Sequence, residues 1–274
     1  MQISESGFGS SSQDFAAVKV TLFSPTRPTV SHFYKYKSAE NLEWLKPLLT
    51  KNELYIPSVA QLNDPIDCRP KITPMSDEQM LTFLRNDYIR RNPVLALDLL
   101  QQHEQNIRTS IQKLGLSWFN SELSKILNLL IEEYRIYSLT KRFDNFGMWA
   151  KYAADHSGYC LEFKNEGPLF DNACEVVYGE YQPFDLNDPE NRDALFLVCK
   201  RPDWSNEEEV RLILPSGKGS TVKIDPQWLT RIILGMKMSA ESEVKIREWA
   251  VERDPKLTVV RAHLDTLHQR ISLE

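Results

Sequence analysis

The chain has 274 residues, with 33 Lys and Arg against 38 Asp and Glu, a formal charge of −5, and it is 42% hydrophobic and 26% charged. That length suits one large domain, or two small ones, with a real core, and the composition is ordinary for a folded globular protein. An acidic chain is not built as a general nucleic-acid coat, because phosphate binding needs an excess of Lys and Arg, although a local basic groove stays open to it.

Residues 1–16 are polar and rich in Ser and Gly, and are predicted to form a disordered N-terminal tail. Residues 17–274 then form a single α+β domain. The first residues carry no basic start followed by an apolar run, and no stretch approaches bilayer length, so a cytoplasmic chain without membrane contact is expected. Val18–Phe23 reads as a strand cut short by Pro25 and Pro28. His32–Tyr36 alternates aromatic and polar groups and reads as a second strand. Ser38 is placed to cap a helix carrying Leu42, Leu45 and Leu49, and Leu54–Ile56 is a short strand closed by Pro57.

A helical insert is predicted at about 76–133. Leu97, Leu100, Ile107, Ile111 and Leu114 form one apolar stripe, and Phe119, Leu123, Ile126, Leu127 and Leu130 another, with Gly115 between them. Strand patterns follow at Tyr134–Thr140, Gly158–Phe163, Cys174–Tyr178, Glu208–Leu214, Val222–Ile224, Arg231–Leu234 and Leu257–Ala262. Helices are expected over Asn145–Ala154, Glu190–Cys199 and Ala240–Glu252. Without a regular βαβ alternation this is an α+β fold, a mixed, mainly antiparallel sheet core with a helical insertion. Cys68, Cys160, Cys174 and Cys199 form no CxxC pair, so no metal is expected and the thiols are read as free and mostly core filler.

Three segments carry candidate chemistry. Asn63-Asp64-Pro65-Ile66-Asp67 is either a well-made turn or a loop that projects Asp64 and Asp67 into a cleft, toward a ribose hydroxyl or a metal. Trp149, Tyr152 and His156 share one face of a predicted helix, ended by Gly158; they are either an aromatic core stripe or a binding face. In the run from Lys200 to Leu214, a strand would point Glu207, Glu209 and Arg211 to one face and Val210, Leu212 and Leu214 to the core. That polar face is either a solvated salt-bridge ladder or a catalytic edge in which one Glu shifts the other's pKa, walled by Lys200 and Trp204.

In combination, FYKYKSAENL at 33–42, NDPIDC at 63–68, MWAKYAADHSGYCLEF at 148–163, the K-x-x-x-W-x-x-E-x-E-x-R run at 200–211 and IILG at 232–235 resemble a bacterial family known as domain of unknown function 2971. More distantly, the order of strands and the late E-x-E resemble the ADP-ribosyltransferase fold. That resemblance implies NAD as substrate, Glu209 as the catalytic carboxylate and Glu207 as its partner. It also implies Tyr34, Lys35 and Tyr36 in the early-strand binding position, although the Arg or His usual there is absent and His32 stands two residues ahead. Asn63, Asp64, Trp149, Tyr152, His156 and Arg211 complete the expected binding cleft.

Three functions are consistent with this reading. The first is an ADP-ribosyltransferase-like or NAD-cleaving enzyme, as a toxin or antiviral defence effector, with a protein, a nucleic acid or water as acceptor. The second is a metal-dependent nuclease in which Asp64 or Asp67, with Glu209, holds Mg²⁺ and Arg211 stands where a lysine is usual. The third is a non-catalytic sensor or adaptor.

Overall fold

The computed structural model describes residues 27–69, 74–94, 96–180, 195–253 and 257–273. The predicted disordered tail 1–16, the predicted strand Val18–Phe23 and residues 190–194 of the predicted helix Glu190–Cys199 lie outside them.

The described residues open with β1 (His32–Lys37) and a 3-10 turn, Leu42–Trp44, that leads into α1 (Lys46–Lys51). Leu42, Leu45 and Leu49 are all buried, as their spacing predicts. Ser38 does not cap this helix; its Oγ accepts the Glu40 N–H at 3.1 Å and holds the preceding turn. β2 (Glu53–Tyr55) precedes the helical insert, which is α2 (Asp77–Arg91) and α3 (Leu97–Glu132). Ser76 begins α2 with a capping box, its Oγ taking the Gln79 N–H and the Gln79 side chain taking the Ser76 N–H. Gly115 breaks α3 with φ 62°, a conformation that glycine adopts without strain. Ile107 and Ile111 of the first stripe share a core with Phe119 and Leu123 of the second, while Leu97 and Leu114 of the first stripe are exposed.

Next come β3 (Tyr134–Thr140), α4 (Phe146–Tyr152), β4 (Tyr159–Lys164), β5 (Ala173–Glu175) and β6 (Val177–Tyr178). The described remainder runs α5 (Leu195–Val198), β7 (Cys199–Lys200), β8 (Glu209–Pro215), β9 (Thr221–Lys223), β10 (Leu229–Leu234), α6 (Ala240–Arg253), β11 (Thr258–Asp265) and β12 (Arg270–Leu273). The single strand expected over Cys174–Tyr178 is two, because β5 pairs with β8 while β6 pairs with β7.

Eight strands form one sheet in the order β12-β11-β10-β4-β1-β3-β8-β5, antiparallel throughout except for the β10–β11 pair. The architecture is therefore mixed α+β around a large, mainly antiparallel sheet. β1 pairs with β4 from His32↔Lys164 to Lys37↔Tyr159, and β3 pairs with β8 from Tyr134↔Pro215 to Thr140↔Glu209. Between β1 and β3 the registered pairing is Tyr34↔Thr140 alone. The centre of the sheet is thus two well-zipped halves joined at one point.

Strand alternation sorts the side chains onto two faces. Phe33, Tyr137, Leu139, Leu161, Phe163, Val210, Leu212 and Ile232 pack with α1 and α6 in the largest apolar cluster. On the opposite face Tyr36, Cys160, Ile233 and Ala262 pack with Trp149 of α4. Further along that same face Ile136, Ile213 and Cys174 pack with α2, α3 and α5. Glu209 and Arg211 lie between these last two clusters and are buried, so of the two readings of this face the solvated ladder is removed. The reason is that the sheet is covered on both sides, so its second face is interior.

The chain reaches β4 through a tight reversal in which Ala154, Asp155 and His156 all have positive φ. Gly158 is required there, because a Cβ would fall 2.1 Å from the Lys37 carbonyl oxygen. Among the described residues, no helix is long and apolar enough to cross a membrane.

Candidate functional site

Three carboxylates and two cations converge between the apolar clusters of the second face: Asp67, Glu207, Glu209, Lys200 and Arg211, all buried. Each arrives by a different route. Glu209 and Arg211 are alternate residues of β8 and share a face. Glu207 is not on that strand, as the sequence suggests; it ends a 3-10 turn, Pro202–Glu207, and Glu208 at φ 44° swings the chain into β8. Pro at the first position favours such a turn, and the left-handed Glu208 brings Glu207 and Glu209 back to one site. Lys200 ends β7, and Asp67 is supplied by the Asn63–Asp67 turn.

Arg211 is the hub. It grips Glu209 with Nε to Oε1 at 2.8 Å and Nη2 to Oε2 at 3.1 Å. Nη2 also donates to Asp67 Oδ2 at 2.6 Å, and Nη1 donates to the Leu197 carbonyl at 2.6 Å and to Cys68 Sγ at 3.0 Å. Lys200 Nζ lies 2.7 Å from Glu207 Oε2 and 2.8 Å from Glu209 Oε2, with Asp67 Oδ2 at 3.9 Å. Burial alone would raise the Glu209 carboxyl, but the Arg211 guanidinium and the Lys200 ammonium outweigh it and push it down to about 2. Burial likewise opposes the charge on Lys200, and its contacts with Glu209 and Glu207 hold it above the ordinary lysine range.

The outer end of the cluster is different. Glu207 Oε1 accepts the Tyr152 hydroxyl at 2.6 Å and the Lys151 ammonium at 3.2 Å, and Lys151 is 40% exposed. Lys151 Nζ also sits 3.3 Å from the centre of the half-buried Trp204 ring. Glu207 is therefore the carboxylate at the rim, and Glu209 lies behind it with both oxygens engaged. Tyr178 closes the inner side, its hydroxyl accepting the Glu209 N–H at 2.7 Å.

The other expected site residues are dispersed. Asp64 spends a carboxylate oxygen on the Ile66 N–H at 2.9 Å, and Asn63 is exposed, so the turn contributes Asp67 rather than either of them. Trp149 is fully buried, meeting Tyr36 edge-on at 5.1 Å and donating to the Phe143 carbonyl at 2.7 Å. Helix α4 ends at Tyr152, so His156 sits beyond it in the left-handed reversal, stacked on Trp149 at 6.0 Å. Tyr34 donates to Glu162 at 3.2 Å, and Tyr36 donates to the Arg142 carbonyl at 3.0 Å.

Lys35 belongs by register to the opposite face. Its ammonium lies 4.9 Å over the Tyr137 ring and donates to the Ser138 carbonyl at 2.6 Å, where β1 and β3 part. Burial pushes Lys35 down to about 7, nearby Lys37 adding to the effect and Glu209 and Glu207 opposing it. Of the expected binding residues, Tyr152 and Arg211 touch the Glu207–Glu209 pair. The sequence flagged Lys200 and Trp204 as walls of this site; Tyr178 and Lys151 carried no signal, being lone residues whose partners are remote in the chain. The four cysteines are free, three of them buried.

Comparison of the chain with protein-family models, with curated proteins and with solved structures finds no match.

Proposed function

We propose that the chain is an ADP-ribosyltransferase-like enzyme that binds NAD and cleaves its nicotinamide–ribose bond, with Glu207 as the carboxylate facing the substrate and Glu209 anchoring it. The observation that carries this reading is the rim of the cluster, where Glu207 Oε1 faces Tyr152 and Trp204 stands on the same side. When the C–N bond breaks, its electron pair leaves with nicotinamide and the ribose carbon gains positive charge. A carboxylate fixed in a water-poor place stabilises that charge most, because it needs no reorganisation as the charge develops. Water or a nucleophile on a protein or nucleic acid then adds to the same carbon and loses a proton. The E-x-E resemblance supports the reading. The roles within the pair are exchanged relative to it: the Glu209 oxygens are held by the buried Arg211 and Lys200, whereas Glu207 Oε1 meets Lys151, which is 40% exposed and can move aside.

A non-catalytic sensor or adaptor is the second reading. It is supported by that same closure, since a carboxylate paired on both oxygens is also how a buried strut is built. The nuclease reading has less support, because the Lys200 ammonium occupies the space between Glu207 and Glu209 where a divalent cation would sit.

Incubation of the pure chain with labelled NAD, with and without cell extract, separates the first two. On the enzymatic reading wild type releases nicotinamide, and Glu207→Gln lowers the rate by about a hundredfold or more. Glu209→Gln lowers it through loss of anchoring, together with stability. Silence from folded wild type under both conditions would abandon NAD cleavage in favour of the adaptor.

A further inference from the structure

Lys151, Trp204, Tyr152 and Glu207 make a corner whose chemistry is independent of NAD. The Lys151 ammonium lies 3.3 Å from the Trp204 ring centre, 4.9 Å from that of Tyr152 and 3.2 Å from Glu207 Oε1. An aromatic face beside a carboxylate is the arrangement that attracts an organic cation, through the ring quadrupole and the carboxylate charge together. Each wall is held from behind. Glu207 Oε2 is fixed by Lys200 at 2.7 Å, and the Tyr152 hydroxyl points its proton at Glu207 Oε1 at 2.6 Å. Asn145 at the start of α4 donates to the Asn206 carbonyl at 2.6 Å, tying the helix that carries Tyr152 to the turn that carries Trp204. The corner is thus set independently of its occupant.

That occupant comes from a long, flexible side chain on the exposed side of α4, and nothing besides this corner fixes its ammonium among the contacts of Lys151. We infer that the corner is a binding site for a small alkylammonium ion, and that Lys151 is a resident cation which such a ligand displaces. The chemical class follows from the resident itself, whose tip is a primary ammonium on an alkyl chain. A tethered competitor acts at an effective concentration of about a millimolar or more, so an external amine binds weakly while Lys151 stays seated. Removing the Lys151 side chain empties the corner and leaves its three walls in place.

The test is calorimetric titration of the NAD-free protein with n-butylammonium and with tetramethylammonium, using n-butanol as the neutral control. Lys151→Ala is expected to bind the cations saturably and at least about tenfold more tightly than wild type, with no saturable binding of n-butanol. Adding Glu207→Gln or Trp204→Leu to Lys151→Ala should abolish the binding. Thermal melting confirms that each protein is folded, and Lys151→Gln carries the same test should the alanine variant melt early. Absence of saturable cation binding in a folded Lys151 variant, or equal binding of n-butanol, overturns the proposal. Because NAD is absent, the result is separate from the outcome for nicotinamide release.

Discussion

Lys200, buried on β7, and Lys35, part-buried on β1, are lysines of two different sheets, and they are held in opposite states. Lys200 touches two carboxylates, at 2.7 and 2.8 Å, and keeps its proton more firmly than an exposed lysine. Lys35 has a carbonyl oxygen and an aromatic ring for company, and burial takes it down to about 7. Burial opposes the charge in both cases, so the deciding difference is direct contact with a carboxylate. Glu207 and Glu209 also act on Lys35, but from across the sheet, and that pull does not restore its ordinary affinity for a proton. The same two acids therefore lock one amine in its charged form and leave the other near its midpoint at neutral pH.

The largest consequence concerns Lys200. Replacing it with Met leaves Glu207 Oε2 and Glu209 Oε2 facing each other without the ammonium that separates their charges. Breaking a buried pair in this way costs about 3–5 kcal/mol, because the surviving charge stays buried. Urea denaturation should show a lower midpoint at unchanged slope. Lys35→Met removes one hydrogen bond to a carbonyl, worth about 1 kcal/mol, but also the cost of burying the amine. At pH 7 the variant should therefore lose no more than about 1 kcal/mol and is expected to gain stability. Equal losses from the two variants would mean that the carboxylate contacts do not set the difference.

A smaller effect is expected at the rim. Tyr152→Phe removes the neutral donor to Glu207 Oε1 but leaves both Lys200 and Lys151 in reach. A hydrogen bond to a charged group is worth about 1.5–3 kcal/mol, and the half-buried position of Tyr152 favours the lower end. The same denaturation series measures it. A loss as large as that of Lys200→Met would mean that the hydroxyl, rather than the ammonium, carries the cluster.

These residues also show which parts of the structure a sequence can announce. β3 occupies the predicted Tyr134–Thr140 because its side chains alternate, Tyr137 and Leu139 entering the largest apolar cluster while Ile136 enters the cluster on the other face. Glu207 was expected on the strand because E-x-E alternates. Pro202 and the left-handed Glu208 create the turn, and positive φ at a glutamate has no sequence signature. The burial of Glu209 and Arg211 was hidden for another reason. A polar side of a strand is ordinarily solvated, and here it is enclosed by a partner 144 residues away, Asp67, and by helices of the insert. Long-range neutralisation of this kind depends on topology, which local pattern does not encode. The resemblance places Lys35 with Tyr34 and Tyr36 in one binding position, whereas neighbouring residues of a strand point to opposite faces.

The finest test of the two-lysine contrast is pH dependence, where the sign distinguishes them. An unfolded lysine keeps its proton up to its ordinary value of 10.5, while folded Lys35 releases it at about 7. Between these values the unfolded chain binds a proton that the folded chain lacks, so Lys35 makes stability rise with pH across that window. Lys200 works in the other direction. Its contribution is complete below 10.5 and is lost only as pH climbs through its raised folded value, so it is flat where Lys35 slopes. The stability of wild type minus that of Lys35→Met should therefore grow steadily from about pH 7 to about pH 9.5, with little change below pH 7. Other groups cancel in that difference, since both proteins carry them. A flat difference would show that Lys35 holds its proton in the folded chain. The pull of Glu207 and Glu209 would then extend through the sheet strongly enough to govern both amines.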